Sequence, residues 1–311
     1  GSSRNIMIGE PIIVIGNPLG MGATCSQGIV SALNRRVKTG ERTYKDLVQI
    51  DAAVNPGNSG GPVLNIEGEL IGVTSTIAPQ AEGIGFAVPS DRAWKVMEDL
   101  IEYRYIPSGW IGISVNDVGG AYEALGSDDT RGVFVSRVMD DGPASKYFNP
   151  GDIIKSWNGA AVDSVADFAG QAREAGVGSK ISLERLRDGS VDEVTIKARP
   201  FPEELAEEWA RDHLGVRVEK ARFRTRTSNG KVVTREGIFV SDVLSGSPAH
   251  VVGLIPGDLI LRINRMNISD LQSFRQAVCR YRSRKNILVR ARRGNFSFSV
   301  TVPFSLTGER W

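Results

Sequence analysis

A serine set among small residues is the position in this 311-residue chain best suited to chemistry. The run Gly57-Asn58-Ser59-Gly60-Gly61 lies between two apolar stretches and follows Asn55-Pro56. Glycines beside a hydroxyl let a substrate backbone approach closely and let neighbouring N–H groups converge on one point. An oxyanion hole requires that convergence, so the run indicates acyl transfer at Ser59, although a glycine-rich loop with a serine is by itself weak support.

Histidine is scarce, and this limits every mechanism that needs an imidazole base. The chain has 2 histidines, His213 and His250, both far from Ser59 in sequence. A serine hydroxyl is a poor nucleophile unless a histidine removes its proton and a carboxylate orients that histidine. Both histidines are interpreted as surface or partly packed side chains. Asp51, which precedes Ser59 on the same stretch, is interpreted as structural.

The composition excludes several broad classes of protein. Charged residues make up 24% and hydrophobic residues 41% of the chain, values typical of a folded globular protein. No apolar run is long enough to span a bilayer. The net charge of +2 gives no global field for nucleic acid, so no nucleic-acid partner is predicted. Cys25 and Cys279 match no metal-binding spacing, and neither a metal nor another cofactor is predicted.

Basic residues accumulate near the end of the chain, where no acidic residue occurs between Leu271 and Gly308. A solvated surface is the most common explanation for such a run. Two alternatives stay open. The run could contact the acidic stretch 203–208 of another subunit, or it could bind an anionic lipid or nucleic acid.

An internal repeat organises the second half of the chain. Gly132-Val133-Phe134-Val135-Ser136 corresponds to Gly237-Ile238-Phe239-Val240-Ser241, and Pro150-Gly151-Asp152 corresponds to Pro256-Gly257-Asp258. Each copy predicts strands, a Pro-Gly-Asp turn, one longer helix and a final hairpin. These helices are expected at about 164–175 and 269–281, and a short linker helix near 202–210 is expected between the copies.

The first part of the chain has a different texture. Short β-rich runs broken by glycine turns over residues 4–90 predict an all-β sandwich or barrel. A closing helix over 90–103 is expected to turn apolar side chains inward, namely Ala93, Trp94, Met97, Leu100 and Ile101.

Segments in this first part resemble the HtrA/Deg family of serine proteases. They are Ile15–Gly20, Gln27–Ser31, Gln49–Pro62, Gly68–Gly72 and Gly83–Pro89. The resemblance implies a mainly β fold with α: the C-terminal half of a chymotrypsin-like double β-barrel followed by two PDZ domains. It also implies that Ser59 is the nucleophile, that the N–H groups of Gly57 and Ser59 form the oxyanion hole, and that Val54 and Ile77 line the specificity pocket.

In that family the triad histidine and aspartate come from the N-terminal barrel. The chain is therefore expected to be an N-terminally truncated piece, inactive alone, and Gly1-Ser2-Ser3 is typical of an expression-tag remnant. By the same resemblance, the repeats are permuted PDZ domains that bind peptide C-termini through an apolar-Gly-apolar loop and an apolar helix face. The implied peptide-binding residues are Ile111, Gly112, Ile113, Phe168 and Ala172 in the first domain, and Leu214, Gly215, Val216, Phe274 and Val278 in the second.

A bland alternative is that part of each apolar set only completes a small core. Residues 219–236 are interpreted as an insertion that could reshape or block the second groove.

The domains are placed at 4–107, 108–201 and 202–305. The resemblance implies a periplasmic or envelope endopeptidase that degrades unfolded or damaged proteins as a homo-oligomer, a trimer or larger. A non-catalytic PDZ scaffold or chaperone is the alternative.

Overall fold

A computed structural model describes residues 1–20, 22–39, 42–75, 83–118, 131–226, 229 and 231–303. Contacts divide the chain into two compact units, Gly1–Ile106 and Pro107–Trp311. Among the described residues, no helix has both the length and the apolar character needed to cross a membrane.

The first unit is a closed β-barrel with strand order β1-β2-β3-β6-β5-β4. Alternate residues point inward, as Ile12 and Val14 of β1 do, and they meet Val30, Val48 and Ile50 in one apolar core. The barrel confirms the predicted all-β texture. Its strands are β1 Pro11–Gly16, β2 Thr24–Thr39, β3 Arg42–Ile50, β4 Pro62–Leu64, β5 Leu70–Ser75 and β6 Gly85–Pro89.

Helix α1, Ser90–Tyr103, follows the barrel at the predicted bounds, but its predicted inner face is wrong. Trp94 is 62% exposed and Ile101 is 67% exposed, and Met97 and Leu100 are also exposed. The helix packs on β5 and β6 and buries Ser90 and Asp99 instead. The Asp99 carboxylate can be buried because it accepts a hydrogen bond from Lys95 Nζ at 2.9 Å.

The second unit contains the two repeats, and each forms a sheet with the same strand order. The sheets run β12-β11-β9-β8-β7 and β18-β17-β15-β14-β13, with short strands β10 on β9 and β16 on β15. The first repeat contains β7 Ile113–Asp117, β8 Val133–Val138, β9 Ile153–Trp157, β10 Ala160–Ala161, α2 Val165–Glu174, β11 Lys180–Arg187 and β12 Ser190–Lys197. The second contains β13 Val216–Arg226, β14 Val232–Val243, α4 Pro248–Val251, β15 Leu259–Ile263, β16 Met266–Asn267, α5 Leu271–Tyr281, β17 Asn286–Arg293 and β18 Phe296–Pro303.

The contacts of the aspartate in each Pro-Gly-Asp turn explain why both repeats contain this motif. The Asp152 carboxylate is almost fully buried and pairs with Arg187 at 2.6 Å, and Asp258 pairs with Arg293 at 2.8 Å. Each carboxylate also accepts a backbone N–H of its own turn, so it is neutralised and hydrogen-bonded. The turn is thereby fastened to the final hairpin of its domain.

The segment between the repeats is longer and more buried than the sequence indicates. A 3₁₀ turn at Glu203–Leu205 leads into α3, Ala206–His213. Ala206, Trp209, Ala210 and His213 of α3 are buried, so the helix belongs to the core of the second repeat. The acidic residues remain on its outer side, and Glu207 accepts hydrogen bonds from Arg275 of α5 at 2.6 and 2.8 Å. This contact between acidic run and basic stretch is made within one chain.

Candidate functional site

Ser59 lies on a tight turn at one end of the barrel, between β3 and β4. Ser59 itself is exposed. Gly57 has φ of 107° and Gly60 has φ of 85°, a backbone region that residues with a Cβ rarely adopt. A Cβ on Gly57 would lie 2.5 Å from the carbonyl oxygen of Asn17. The glycines that the sequence singled out are therefore required by the turn that presents the hydroxyl.

Two residues that the sequence analysis passed over hold this turn in place. Asn58 is 4% exposed, and its side-chain amide donates to the carbonyl of Ala53 at 3.2 Å. The buried Thr74 hydroxyl donates to the carbonyl of Asn58 and lies 3.1 Å from that of Gly61. Backbone bonds from Gly60 N–H to Thr74 O and from Thr74 N–H to Gly61 O, both 2.9 Å, complete the support from β5. The signal for Thr74 was weak because a threonine in a strand is ordinary.

Asp51 is structural, as predicted. Its carboxylate accepts the N–H of Ile29 at 2.6 Å, and its own N–H donates to the carbonyl of Ile29 at 3.3 Å. A Cβ on Gly28 would come within 2.3 Å of the same carboxylate oxygen, so the glycine leaves room for it. Asp51 thus fastens the start of the loop to β2.

One predicted wall of the specificity pocket is described. Val54 is half-buried against the barrel core, and a Cβ on Gly85 would lie 2.7 Å from Val54 Cγ2. Gly85 therefore leaves room for the Val54 side chain itself, a role the sequence analysis did not assign. Ile77, the other predicted wall, lies outside the described residues.

Both histidines have structural partners in the second unit. The His213 ring is 3% exposed, stacks on Trp209 at 4.5 Å and donates from Nδ1 to the carbonyl of Trp209 at 2.9 Å. His250 Nδ1 accepts the N–H of Gly246 at 3.1 Å. His213 is more deeply packed than the sequence suggested, and each imidazole stabilises the end of a helix or turn.

In the loop Trp110–Ile113 of the first repeat, the carbonyl groups are hydrogen-bonded to the rest of the domain. The carbonyls of Trp110, Ile111 and Gly112 accept from the N–H groups of Arg199, Ala144 and Met139 at 2.9, 2.9 and 2.8 Å. In a planar trans peptide the N–H points opposite to the carbonyl, so the following N–H groups leave the loop on its other side. Within the described residues, the N–H groups of Ile111 and Gly112 have no backbone acceptor.

The predicted helix residues of the first groove are deeper than a peptide-contacting wall. Phe168 and Ala172 of α2 are buried in one cluster with Ile111 and Ile113, and Phe168 packs edge-to-face on Trp157 at 5.1 Å. This agrees with the alternative that part of the apolar set completes the core. At the end of β7, the Asp117 carboxylate accepts the N–H of Val165 at 2.7 Å and ties the strand to the start of α2.

The corresponding loop in the second repeat has its N–H groups occupied. The carbonyls of Leu214 and Gly215 accept from Ala249 and Leu244 at 3.0 and 2.8 Å, as in the first repeat. However, the N–H of Leu214 donates to the carbonyl of Ala210 at 3.0 Å, and the N–H of Gly215 donates to that of Arg211 at 3.1 Å. Both acceptors belong to the last turn of α3, so the loop serves as the end of that helix.

The second groove is also narrowed by α3, which packs against both β13 and α5. Val216, Phe274 and Val278, expected to contact a peptide, are buried, and all three share a core with Trp209. A cleft of about 430 Å³ remains, lined in part by Glu207, Glu208 and Arg211 of α3. Residues 219–226 and 232–236 pair in the outer part of the β13–β14 hairpin, and the element that narrows the groove is the linker helix α3.

Comparison with known proteins matches each part of the chain to a domain family. Residues 1–73 match a trypsin-like peptidase domain, and residues 109–198 and 210–287 each match a PDZ domain. A probable periplasmic serine endoprotease DegP-like from Chlamydia muridarum is 33% identical over 299 residues, covering 94% of this chain and 60% of its own length. A protein of the same description from Pseudomonas savastanoi is 32% identical over 319 residues, covering 98% of this chain and 65% of its own length. The chain thus spans less than two thirds of these relatives.

Proteases with solved structures are similar to this chain at a comparable level of sequence identity. The HtrA-type protease AlgW with tripeptide is 37% identical, with coverage of 65% of this chain and 69% of that chain and a TM-score of 0.39. The serine endoprotease from Yersinia pestis is 36% identical, with coverage of 64% and 65% and a TM-score of 0.35.

Proposed function

The chain belongs to the HtrA family of serine proteases, and from that premise we propose that it is the nucleophile-bearing part of a serine endopeptidase with a peptide-capturing PDZ domain. The observation that carries the proposal is the Ser59 turn. The exposed Ser59 stands on a turn of glycines at positive φ, which Thr74 fastens to β5 and Asn58 fastens to the preceding loop. Such a turn can hold the hydroxyl and the N–H groups of Gly57 and Ser59 in a fixed relation.

The proposed reaction is acyl transfer to Ser59. The hydroxyl oxygen attacks a scissile carbonyl while its proton passes to an imidazole, and the N–H groups of Gly57 and Ser59 stabilise the resulting oxyanion. The imidazolium then gives the proton to the leaving amine as the peptide C–N bond breaks, and water hydrolyses the acyl ester on Ser59. Val54 would admit a small aliphatic side chain, as the resemblance to the family's specificity pocket implies, and Gly85 leaves room for the Val54 side chain. The substrates proposed are unfolded or damaged proteins, and the compartment proposed is the periplasm, to which the relatives are assigned by name.

This chain by itself is proposed to be inactive. Neither of its histidines lies in the barrel unit, and both imidazoles are engaged in the second unit. The trypsin-like family relies on a histidine base to activate the serine, and without one the hydroxyl remains a weak nucleophile. Assembly into a homo-oligomer belongs to the same proposal.

The two PDZ domains are proposed to differ in whether they bind peptides. The first would hold a peptide C-terminus, because the N–H groups of Ile111 and Gly112 are not used by the described backbone. A carboxylate that accepts several backbone N–H groups gains charge-assisted hydrogen bonds. This open loop is also what favours the second candidate function, a peptide-binding scaffold that needs no catalysis.

The test compares this chain with the full-length gene product that contains it. We expect the full-length protein to degrade casein and to react with a fluorophosphonate probe at Ser59, and we expect this chain to do neither. Ser59→Ala should abolish both activities in the full-length protein, and Ser31→Ala on β2 is the matched control. Casein cleavage that persists in Ser59→Ala would refute the endopeptidase proposal, and a full-length protein that binds peptides without cleaving them would establish the scaffold.

A further inference from the structure

Arg282 is the one buried arginine that reaches from the second repeat into the first among the described residues. It follows the last residue of α5, is 5% exposed, and its guanidinium lies 4.7 Å from the centre of the Phe201 ring. Its Nη2 donates to the carbonyls of Ser108 and Gly109 at 3.1 and 2.9 Å. These carbonyls belong to the segment that runs directly into the loop Trp110–Ile113.

The two peptide groups that Arg282 holds are also held on their opposite edges. The N–H of Gly109 donates to the carbonyl of Ala175, the residue that caps α2, at 2.6 Å. The N–H of Trp110 donates to the carbonyl of Arg199 at 2.8 Å. Because each peptide plane is bonded through both its N–H and its carbonyl, neither can rotate without breaking a buried hydrogen bond.

The first residue of the loop is anchored in the same place. Trp110 is 3% exposed and belongs to the apolar core of the second repeat, where it packs edge-to-face on Phe201 at 5.9 Å. The Trp110 backbone therefore stays in the first repeat while its side chain lies in the second.

We propose that Arg282 is the positioning residue of the peptide-carboxylate site in the first PDZ domain, so that the second PDZ domain builds the site rather than duplicating it. The proposal rests on the proposed capture of peptide C-termini. Arg282 does not touch the peptide. It fixes the planes of Ser108–Gly109 and Gly109–Trp110. These planes lead into the Trp110–Ile111 and Ile111–Gly112 planes, whose carbonyls the Arg199 and Ala144 N–H groups hold, so Arg282 fixes the position from which the loop with the Ile111 and Gly112 N–H groups begins.

The contacts of Arg282 with Ser108 and Gly109 would raise the affinity for a peptide by ordering the loop before the peptide binds. A carboxylate gains from converging N–H groups only if they are already aligned, since ordering a loop on binding reduces the net affinity. Without the guanidinium, the two carbonyls would be left buried without these donors, and the entry to the loop would rearrange to reach water.

The test measures binding of a fluorescein-labelled decapeptide with a free C-terminal valine to the full 311-residue chain. The same peptide with a C-terminal amide reports contacts that do not involve the carboxylate. We expect Arg282→Met, which keeps the aliphatic packing and removes the donors, to weaken the free-acid peptide about tenfold. Arg282→Lys should restore affinity to within about threefold because its ammonium can still donate to a carbonyl. Arg284→Met, at an exposed neighbouring position, is the matched control and should change nothing.

The amide peptide separates positioning from general damage. We expect it to bind weakly and equally to all variants, and thermal unfolding monitors the fold. If Arg282→Met does not fold, Arg282→Gln replaces it, with an expected loss of about threefold for the free-acid peptide only. Unchanged free-acid binding in the substituted protein, or equal losses for both peptides, would overturn the positioning role. No binding of the free-acid peptide by the unsubstituted chain would instead overturn the proposed peptide capture.

Discussion

The two PDZ loops are nearly the same in sequence and backbone, yet they present different chemistry. Ile111-Gly112 and Leu214-Gly215 have their carbonyls fixed by equivalent N–H groups of their own domains. They differ in what precedes them. An extended Ser108-Gly109 segment leads into the first loop, whereas α3 leads into the second and consumes its N–H groups. A loop motif therefore defines a backbone shape, and the residues before it decide whether that shape is available to a ligand.

Electrostatics strengthens the contrast. The end of a helix carries a partial negative charge from its unpaired carbonyls. The second loop lies at the C-terminal end of α3, so a peptide carboxylate would meet a partial charge of its own sign. The first loop has no helix directly before it in the chain, so no helix end takes up its N–H groups. We therefore expect capture of C-termini by the first domain alone.

The largest effect is expected from removing the Trp209 side chain, which packs α3 against the core of the second domain. Trp209 is 4% exposed, and we expect Trp209→Ala to lower the free energy of unfolding of the second domain by about 3 kcal/mol. Trp94→Ala removes a tryptophan that is 62% exposed and should cost less than about 1 kcal/mol. Chemical denaturation followed by circular dichroism measures both. A small change for Trp209→Ala together with a newly gained peptide site would mean that α3 is a detachable ligand.

A matched glycine pair tests which loop binds. Gly112 has φ of 84° and Gly215 has φ of 76°, and a Cβ would clash at both, with Gly142 and with Ser247 respectively. Gly112→Ala should weaken binding of a free C-terminal peptide about 30-fold, because it distorts the one of these two loops whose N–H groups have no backbone acceptor among the described residues. Gly215→Ala should leave the dissociation constant within about twofold of the original value, although it too strains its loop. Fluorescence anisotropy well below both melting temperatures is the measurement. The reverse ranking would assign binding to the second loop.

The smallest expected effect concerns the helices that face the two loops. Ser164 caps α2, whereas Asp270 caps α5 in a capping box with Ser273. The hydrogen bond from the Ser273 N–H holds the pKa of the Asp270 carboxyl below its usual value. Its stabilisation is therefore complete above the unfolded-state pKa and is lost as pH falls through the folded-state pKa.

We expect Asp270→Ser to change stability at pH 7 by less than about 0.5 kcal/mol, because serine is a comparable cap. Its destabilisation between pH 5 and pH 2 should be smaller than that of the unsubstituted chain, and thermal unfolding across that range measures the difference. An identical acid response in both proteins would show that the cap contributes nothing to pH dependence. Ser164→Ala should not alter the acid response, since serine does not titrate there.

Repeats and turns were readable from the sequence because local chemistry determines them. The Pro-Gly-Asp motif predicted equivalent turns, and Ser164 predicted the start of α2, because each acts within a few residues of itself. The Ser59 turn was found for the same reason. Glycines at positive φ leave a visible pattern.

Contacts between distant segments were not readable in the same way. The direction of α1 was predicted from apolar spacing alone, yet the helix buries Asp99, whose carboxylate pairs with the half-exposed Lys95 ammonium. Arg282 was one cation among many in a basic stretch, and its contacts with Ser108 and Gly109 depend on how the two repeats pack. The hydrogen bonds from the Leu214 and Gly215 N–H groups to α3 were unpredictable for the same reason, since the apolar-Gly-apolar sequence is common to both loops.

Gly215 has a further meaning as the left-handed residue that ends α3. Glycine in this conformation just after a helix commonly donates its N–H back to the last turn. Gly112 adopts the same conformation with no helix before it, so the first loop is a helix terminus without a helix. In the proposed complex, the two oxygens of a peptide's terminal carboxylate take the places that the Ala210 and Arg211 carbonyls occupy in the second domain. In this proposal the loop binds a peptide C-terminus with the same N–H groups that would otherwise close the end of a helix. A duplicated PDZ domain can therefore lose its peptide ligand when a helix forms directly before the loop.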